Sequence, residues 1–87
     1  MGHVYILLSL KDKRAYVGAT GDLPRRFKEH NEGRVRSTKH RRPLTLLFTE
    51  EFTTVKEARK RELWWKGSVG RKKMKELFAN DLHQRNT

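Results

Sequence analysis

Apolar positions near the start of the chain come in two runs with a polar break between them. "HVYILLSL" is aliphatic, aromatic and β-branched, "KDKR" interrupts it, and "AYVGAT" resumes the pattern. Such a pattern predicts two strands joined as a hairpin, with Tyr5 and Tyr16 on neighbouring strands. From Asp22 the period becomes helical. Asp22 is a suitable cap, Pro24 fits a first turn, Leu23 and Phe27 form an i,i+4 apolar pair, and Asn31 with Gly33 supplies a stop. Residues 31–42, "NEGRVRSTKHRR", are almost devoid of apolar side chains; this segment is expected to bury nothing and to form a mobile loop.

"PLTLLFTEEF", residues 43–52, alternates too little for a half-exposed strand. It reads as a third strand covered on both faces, central or paired with the hairpin. Thr54 followed by Glu57 makes a capping box for a helix through "VKEARKRELWWK", closed by Gly67. A last helix follows Ser68, with Met74, Leu77 and Phe78 at core spacing, and residues 81–87 read as a frayed tail. The expected fold class is α/β: a small three-stranded mixed β-sheet flanked by helices, one domain over residues 1–80.

Charge narrows the function. Lysine and arginine number 21 against 10 acidic residues, a formal charge of +11 on 87 residues. So large an imbalance disfavours compaction unless a polyanion is often bound, which points to nucleic acid. A membrane surface is disfavoured, because the basic residues are spread along the chain and do not line one face of an amphipathic helix. The chain has no cysteine, which excludes disulfides and thiolate metal sites and fits a reducing, cytoplasmic setting. No apolar run is long enough to span a bilayer, and the first ten residues lack a secretory pattern. No small-molecule cofactor is indicated.

Three positions carry candidate chemistry. Arg26 and His30 are four apart on one helix, so both can reach a single phosphate beside the sheet, unless both simply point into water. Glu62 shares a stripe with Val55, Ala58 and Trp65, placing a carboxylate on an inward face. There it needs a metal ion or an arginine, unless it lies at the stripe's edge and pairs with a lysine. Trp64 projects from the other side of that helix near Lys60, to stack on a base or to cover basic stems. His40 and His83 have no partner at ligand spacing.

Taken together, these residues resemble the GIY-YIG nuclease family over nearly the whole chain. "HVY", His3 to Tyr5, and "YVG", Tyr16 to Gly18, stand where the family has its two triplets, the tyrosines eleven positions apart. Arg26 lies ten beyond Tyr16, His30 follows it, and Glu62 lies in "RELWWK". The segment "STKHRRPL" and the short length most resemble the compact, stand-alone branch. His3 replaces the first glycine and Val17 replaces isoleucine, while Asn80 alone is roughly placed for the asparagine many members carry near the domain's end. The resemblance implies a divalent-metal-dependent endonuclease acting on DNA, selective for structure rather than sequence.

On that reading Glu62 holds Mg²⁺ or Mn²⁺, Arg26 donates to the scissile phosphate, and Tyr16 orients the water or the phosphate. Tyr5 is the general base, its phenolate favoured by the metal, Arg26 and neighbouring lysines. His30 either positions Tyr5 or is itself the base. Gly18 lets the backbone approach the substrate, and Arg25, Arg34, Arg36, Lys39, Arg41 and Arg42 contact phosphates. The alternative is a non-catalytic basic protein of nucleoid or ribosome type, against which the inward Glu62 argues, since binding a polyanion gains nothing from it.

Overall fold

An apolar run without polar alternation must be covered on both faces, and the strand so placed is β1 (Gly2–Ser9). It is the centre of a three-stranded sheet of order β2-β1-β3, with β2 at Ala15–Thr20 and β3 at Leu44–Phe52. The computed structural model describes residues 1–85, and the side chains of residues 1–79. Both pairings are antiparallel, not mixed as expected. Ser9, which ends β1, lies opposite Leu44, which begins β3, so the intervening excursion returns the chain to the end of the sheet it left.

The third strand is at the edge, not the centre. Its weak alternation has a local cause: the register shifts between Ile6 and Leu7, whose partners are Phe48 and Leu46. Leu47 is therefore an extra residue, and a bulge of this kind turns consecutive side chains toward one side. Leu46 is 41% exposed, as suits an edge.

Helix α1 (Leu23–Asn31) begins where the Asp22 side chain accepts from the Arg25 N–H. It covers one face of the sheet, where Tyr5, Leu7 and Leu44 pack with Tyr16, Leu23 and Phe27. Helices α2 (Val55–Lys66) and α3 (Ser68–Arg85) belong to the other face. There Val4, Ile6 and Val17 meet Ala58 and Trp65, with Met74 and Leu77 alongside. Trp65 is fixed at both ends, its ring edge-on to Phe48 and its Nε1–H donating to the Glu50 carboxylate at 2.8 Å. A Cβ at Gly70 would collide with the Trp64 carbonyl, so glycine lets α3 cross close over α2. The helix runs past residue 81 to Arg85 where a frayed tail was expected; "NDLHQR" contains no glycine or proline to end it.

Residues 31–42 are pinned in place. Val35 and Thr38 are buried, a 3-10 turn spans Lys39–Arg41, and polar groups hold the segment to the hairpin. Ser9 Oγ donates to the Arg41 carbonyl at 2.6 Å, and Arg41 Nε donates to Asp12 at 2.8 Å. Arg42 bends back to the Lys39 carbonyl and lies against Gly33, whose φ of 76° suits glycine. Hydrogen bonds and the single buried Val35 order this segment, which is why composition misjudges it.

Candidate active site

Tyr5 on β1 and Gly18 on β2 are cross-strand partners. A Cβ on Gly18 would strike the Tyr5 ring at Cζ and the hydroxyl, so glycine makes room for the tyrosine to lie across β2. Glycine here thus serves the placement of Tyr5. The Tyr5 hydroxyl is then 2.9 Å from His30 Nε2, and His30 Nδ1 is 2.7 Å from Thr38 Oγ1. Tyr5, His30 and Thr38 are all essentially without solvent exposure. Tyr16 closes the group, its ring 5.3 Å from His30 and 6.4 Å from Tyr5, centre to centre.

Protonation follows from burial. Desolvation raises the Tyr5 pKa, and the opposing influence of the nearby Arg26 guanidinium does not overcome it. The neighbouring Tyr16 and the Glu62 carboxylate push it the same way as burial. Without a metal ion, burial outweighs Arg26 and the ring keeps its proton. That proton needs an acceptor, and Arg26 offers only donors. It is therefore donated to His30 Nε2, and Nδ1–H in turn donates to Thr38. Burial, with Arg26 adding its charge, lowers the His30 pKa to about 4, so the imidazole is neutral at pH 7. Thr38 is the residue that spacing did not reveal. Its only sequence signal is a threonine inside a basic stretch, eight residues past His30.

Arg26 leaves this buried row and faces a cleft. Its guanidinium pairs with Glu29 at 3.2 Å, and it borders two adjoining concavities. One, of about 640 Å³, is lined by Tyr16, Arg34, Arg36 and Ser37. The other, of about 430 Å³, runs between α1 and α2 past Arg25 and Arg59. Arg25, Arg26, Arg34 and Arg36 are thereby brought together, with Arg59 of α2 as an addition. Arg41 and Arg42 are withheld, one clasping Asp12 and the other bracing Gly33; Lys39 is exposed and lines neither concavity.

Glu62 lies at the edge of its stripe: Ala58 and Trp65 are buried, whereas its own side chain keeps 21% exposure and meets Lys66 Nζ at 2.6 Å. Its charge adds a minor upward push on the Tyr5 pKa, and its carboxylate lines neither concavity beside Arg26. Trp64 takes the Arg61 guanidinium on its face at 3.9 Å, covering a basic stem. The side chain of Asn80 lies outside the described residues, as does that of His83.

A family model described as the GIY-YIG catalytic domain matches residues 1–75. The chain belongs to the GIY-YIG family. Within it, similarity runs to the UPF0213 proteins, which are small stand-alone domains. YazA of Bacillus subtilis, a UPF0213 protein, is 41% identical over 80 residues, covering 91% of this chain and 79% of the relative. The UPF0213 protein YsiG of Lactococcus lactis is 38% identical over 77 residues, covering 87% and 74%. The solution NMR structure of the UPF0213 protein BH0048 from Bacillus halodurans is 31% identical, covers 88% of this chain and 85% of its own, and superposes with a TM-score of 0.51. GIY-YIG membership makes this a nuclease-type domain. Among the described residues no group of three or more potential metal-binding side chains occurs.

Proposed function

We propose that the protein is a divalent-metal-dependent endonuclease that hydrolyses phosphodiester bonds in DNA, selecting by structure rather than sequence. The observation that carries the reading is the buried row Tyr5–His30–Thr38 ending beside Arg26. A protein that only binds a polyanion has no use for a neutral histidine held in one tautomer behind a tyrosine.

The donor set fits a hard cation. Mg²⁺ is commonly held by one or two carboxylates with the rest of its shell from water and substrate phosphate, and needs no protein cage. Glu62 would supply one such carboxylate, half-open on α2, with Lys66 to be displaced. Bound there, Mg²⁺ or Mn²⁺ supplies positive charge for the phosphate and for the departing 3′ oxygen.

The chain's own groups supply the rest. Arg26 donates to a non-bridging oxygen of the phosphate. A water attacks phosphorus, passes its proton to the Tyr5 oxygen as the Tyr5 proton moves to His30 Nε2, and the P–O3′ bond breaks. A histidine lowered to about 4 accepts a proton reluctantly; the phosphate, by neutralising Arg26, removes one cause of that reluctance. Tyr16 orients the water. A second assignment has its own support: Tyr5 is 1% exposed, whereas Tyr16 lines the cleft, so Tyr16 is placed to take the proton first with Tyr5 behind it.

The test compares wild type with Tyr5→Phe, Tyr16→Phe and Glu62→Gln on labelled duplex, flap, junction and single-stranded DNA, in Mg²⁺ or EDTA. Cleavage should require Mg²⁺, favour branched substrates, and vanish in Glu62→Gln with melting altered by no more than the few tenths of a kcal/mol typical of an i,i+4 pair. Loss in Tyr5→Phe with residual rate in Tyr16→Phe supports Tyr5 as base; the reverse supports Tyr16. Wild-type protein that binds all four DNAs and cuts none is the basic binding protein instead.

A further inference from the structure

The sheet face turned away from Tyr5 and Tyr16 carries a further concavity, of about 690 Å³, between the β1–β2 turn and α3. Met74 and Phe78 are half-buried in its apolar lining, and Lys13, Arg14, Arg71 and Lys75 stand around them. Among the described residues none of these four cations pairs with a carboxylate. The acidic neighbours are already engaged, Asp12 by Arg41 and Glu76 by Lys73. Four uncompensated positive charges around an apolar depression repel one another until an anion arrives.

The ligand chemistry follows from that pairing of features. Phosphates suit the rim, and a flat apolar ring suits Phe78. A polynucleotide supplies both at regular spacing, but only where its bases are unpaired and offer a face for stacking. Position agrees with this. Ala15 in the groove's wall and Tyr16 in the cleft are consecutive on β2, and consecutive strand residues face opposite sides. Groove and cleft therefore share one end of an edge strand.

We propose that this groove binds an unpaired nucleic-acid strand, one base stacked on Phe78 and adjoining phosphates on Lys13, Arg14, Arg71 and Lys75. It would receive the single-stranded arm of a branched substrate while the cleft holds the junction. The groove itself takes from the nuclease reading only that the ligand is a polynucleotide, whereas the placement of arm and junction rests on that reading as a whole.

Binding is measured in EDTA, by fluorescence anisotropy, with labelled oligo-dT of about twelve nucleotides and a blunt duplex of equal length. Phe78→Leu keeps the apolar volume and removes the ring. It should weaken oligo-dT binding about tenfold, within the range of one lost stack, and leave the duplex within about twofold. Arg71→Gln with Lys75→Gln, which removes no buried contact, should lower the slope of log K against log salt on oligo-dT by about 1.4, the release expected from two phosphates. Unaltered oligo-dT binding in both variants overturns the proposal, as does an equal loss on duplex and single strand. Cleavage by the wild type, assayed in Mg²⁺ on the same preparation, separates the two readings. Selective oligo-dT loss without any cleavage leaves the groove standing and removes the nuclease; cleavage with unaffected oligo-dT binding removes the groove alone.

Discussion

Arg26 and His30 share a helix face, yet one reaches the cleft and the other is fully enclosed. The enclosed one gives the protein a measurable acid response. In the unfolded chain a histidine titrates near 6.5, whereas His30 in the fold is lowered to about 4. As pH falls the unfolded state takes up the proton first, so stability drops between about 6.5 and 4 and levels below, by up to about 3 kcal/mol. Asp12, held down to about 2 by Arg41, loses its contribution only below the ordinary carboxylate range, so the two windows separate. Urea melts at closely spaced pH values check this, and constant stability from pH 6.5 to 4 would contradict a buried neutral His30. Thr38 is the positioning residue behind it. Thr38→Val strips the acceptor from a buried N–H at a cost of about 1–3 kcal/mol and frees the other tautomer. We expect cleavage about tenfold slower with a changed pH profile, and Thr38→Ser should restore both; restored stability without restored rate would make the contact merely structural.

At the scale of elements, the close fit of β2 to β1 is the sensitive point. Gly18→Ala drives a methyl into the Tyr5 ring from the facing strand, which should cost about 1–3 kcal/mol, as overpacking does. It should also abolish cleavage by breaking the Tyr5–His30 contact. Thermal melting and a cleavage assay on one preparation test it, and an active, undisturbed Gly18→Ala protein would show that the ring has room. The hairpin, α1 and α2 were legible because their cues are local: a polar break, Asp22 and Pro24, Thr54 and Glu57. The third strand pairs with the hairpin, one of the two places its pattern allows, but it is not covered on both faces: alternation reports burial only when register is unbroken, and Leu47 breaks it. Segment 31–42 was misread for another reason. Its order rests on Ser9, Asp12 and the Thr38–His30 bond, partners distant in sequence that leave no periodicity. The same logic divides the site: Tyr5, Tyr16, Arg26 and His30 announce themselves by spacing, whereas Thr38 and Arg59 become visible only when the chain is folded.

On the scale of the whole molecule, the +11 charge is distributed over both faces of one thin sheet, with cleft arginines on one side and the α3 groove on the other. Some of that charge is spent internally, as Arg41 and Arg61 show by their carboxylate partners. If about five phosphates are met on duplex DNA, log K against log salt should fall with a slope of about −4 to −5. Titrations at several salt concentrations decide it, and a flat line would remove nucleic acid as the partner. Finally, both tryptophans of the chain sit on α2, beside Glu62 and in unlike surroundings. Trp65 is 2% exposed and Trp64 is 37% exposed under the Arg61 guanidinium. Their rings lie 5.0 Å apart, centre to centre, close enough to share excitation, so the pair is a single optical gauge whose emission responds both to loosening of the core and to ions or DNA reaching the exposed indole, without any added label.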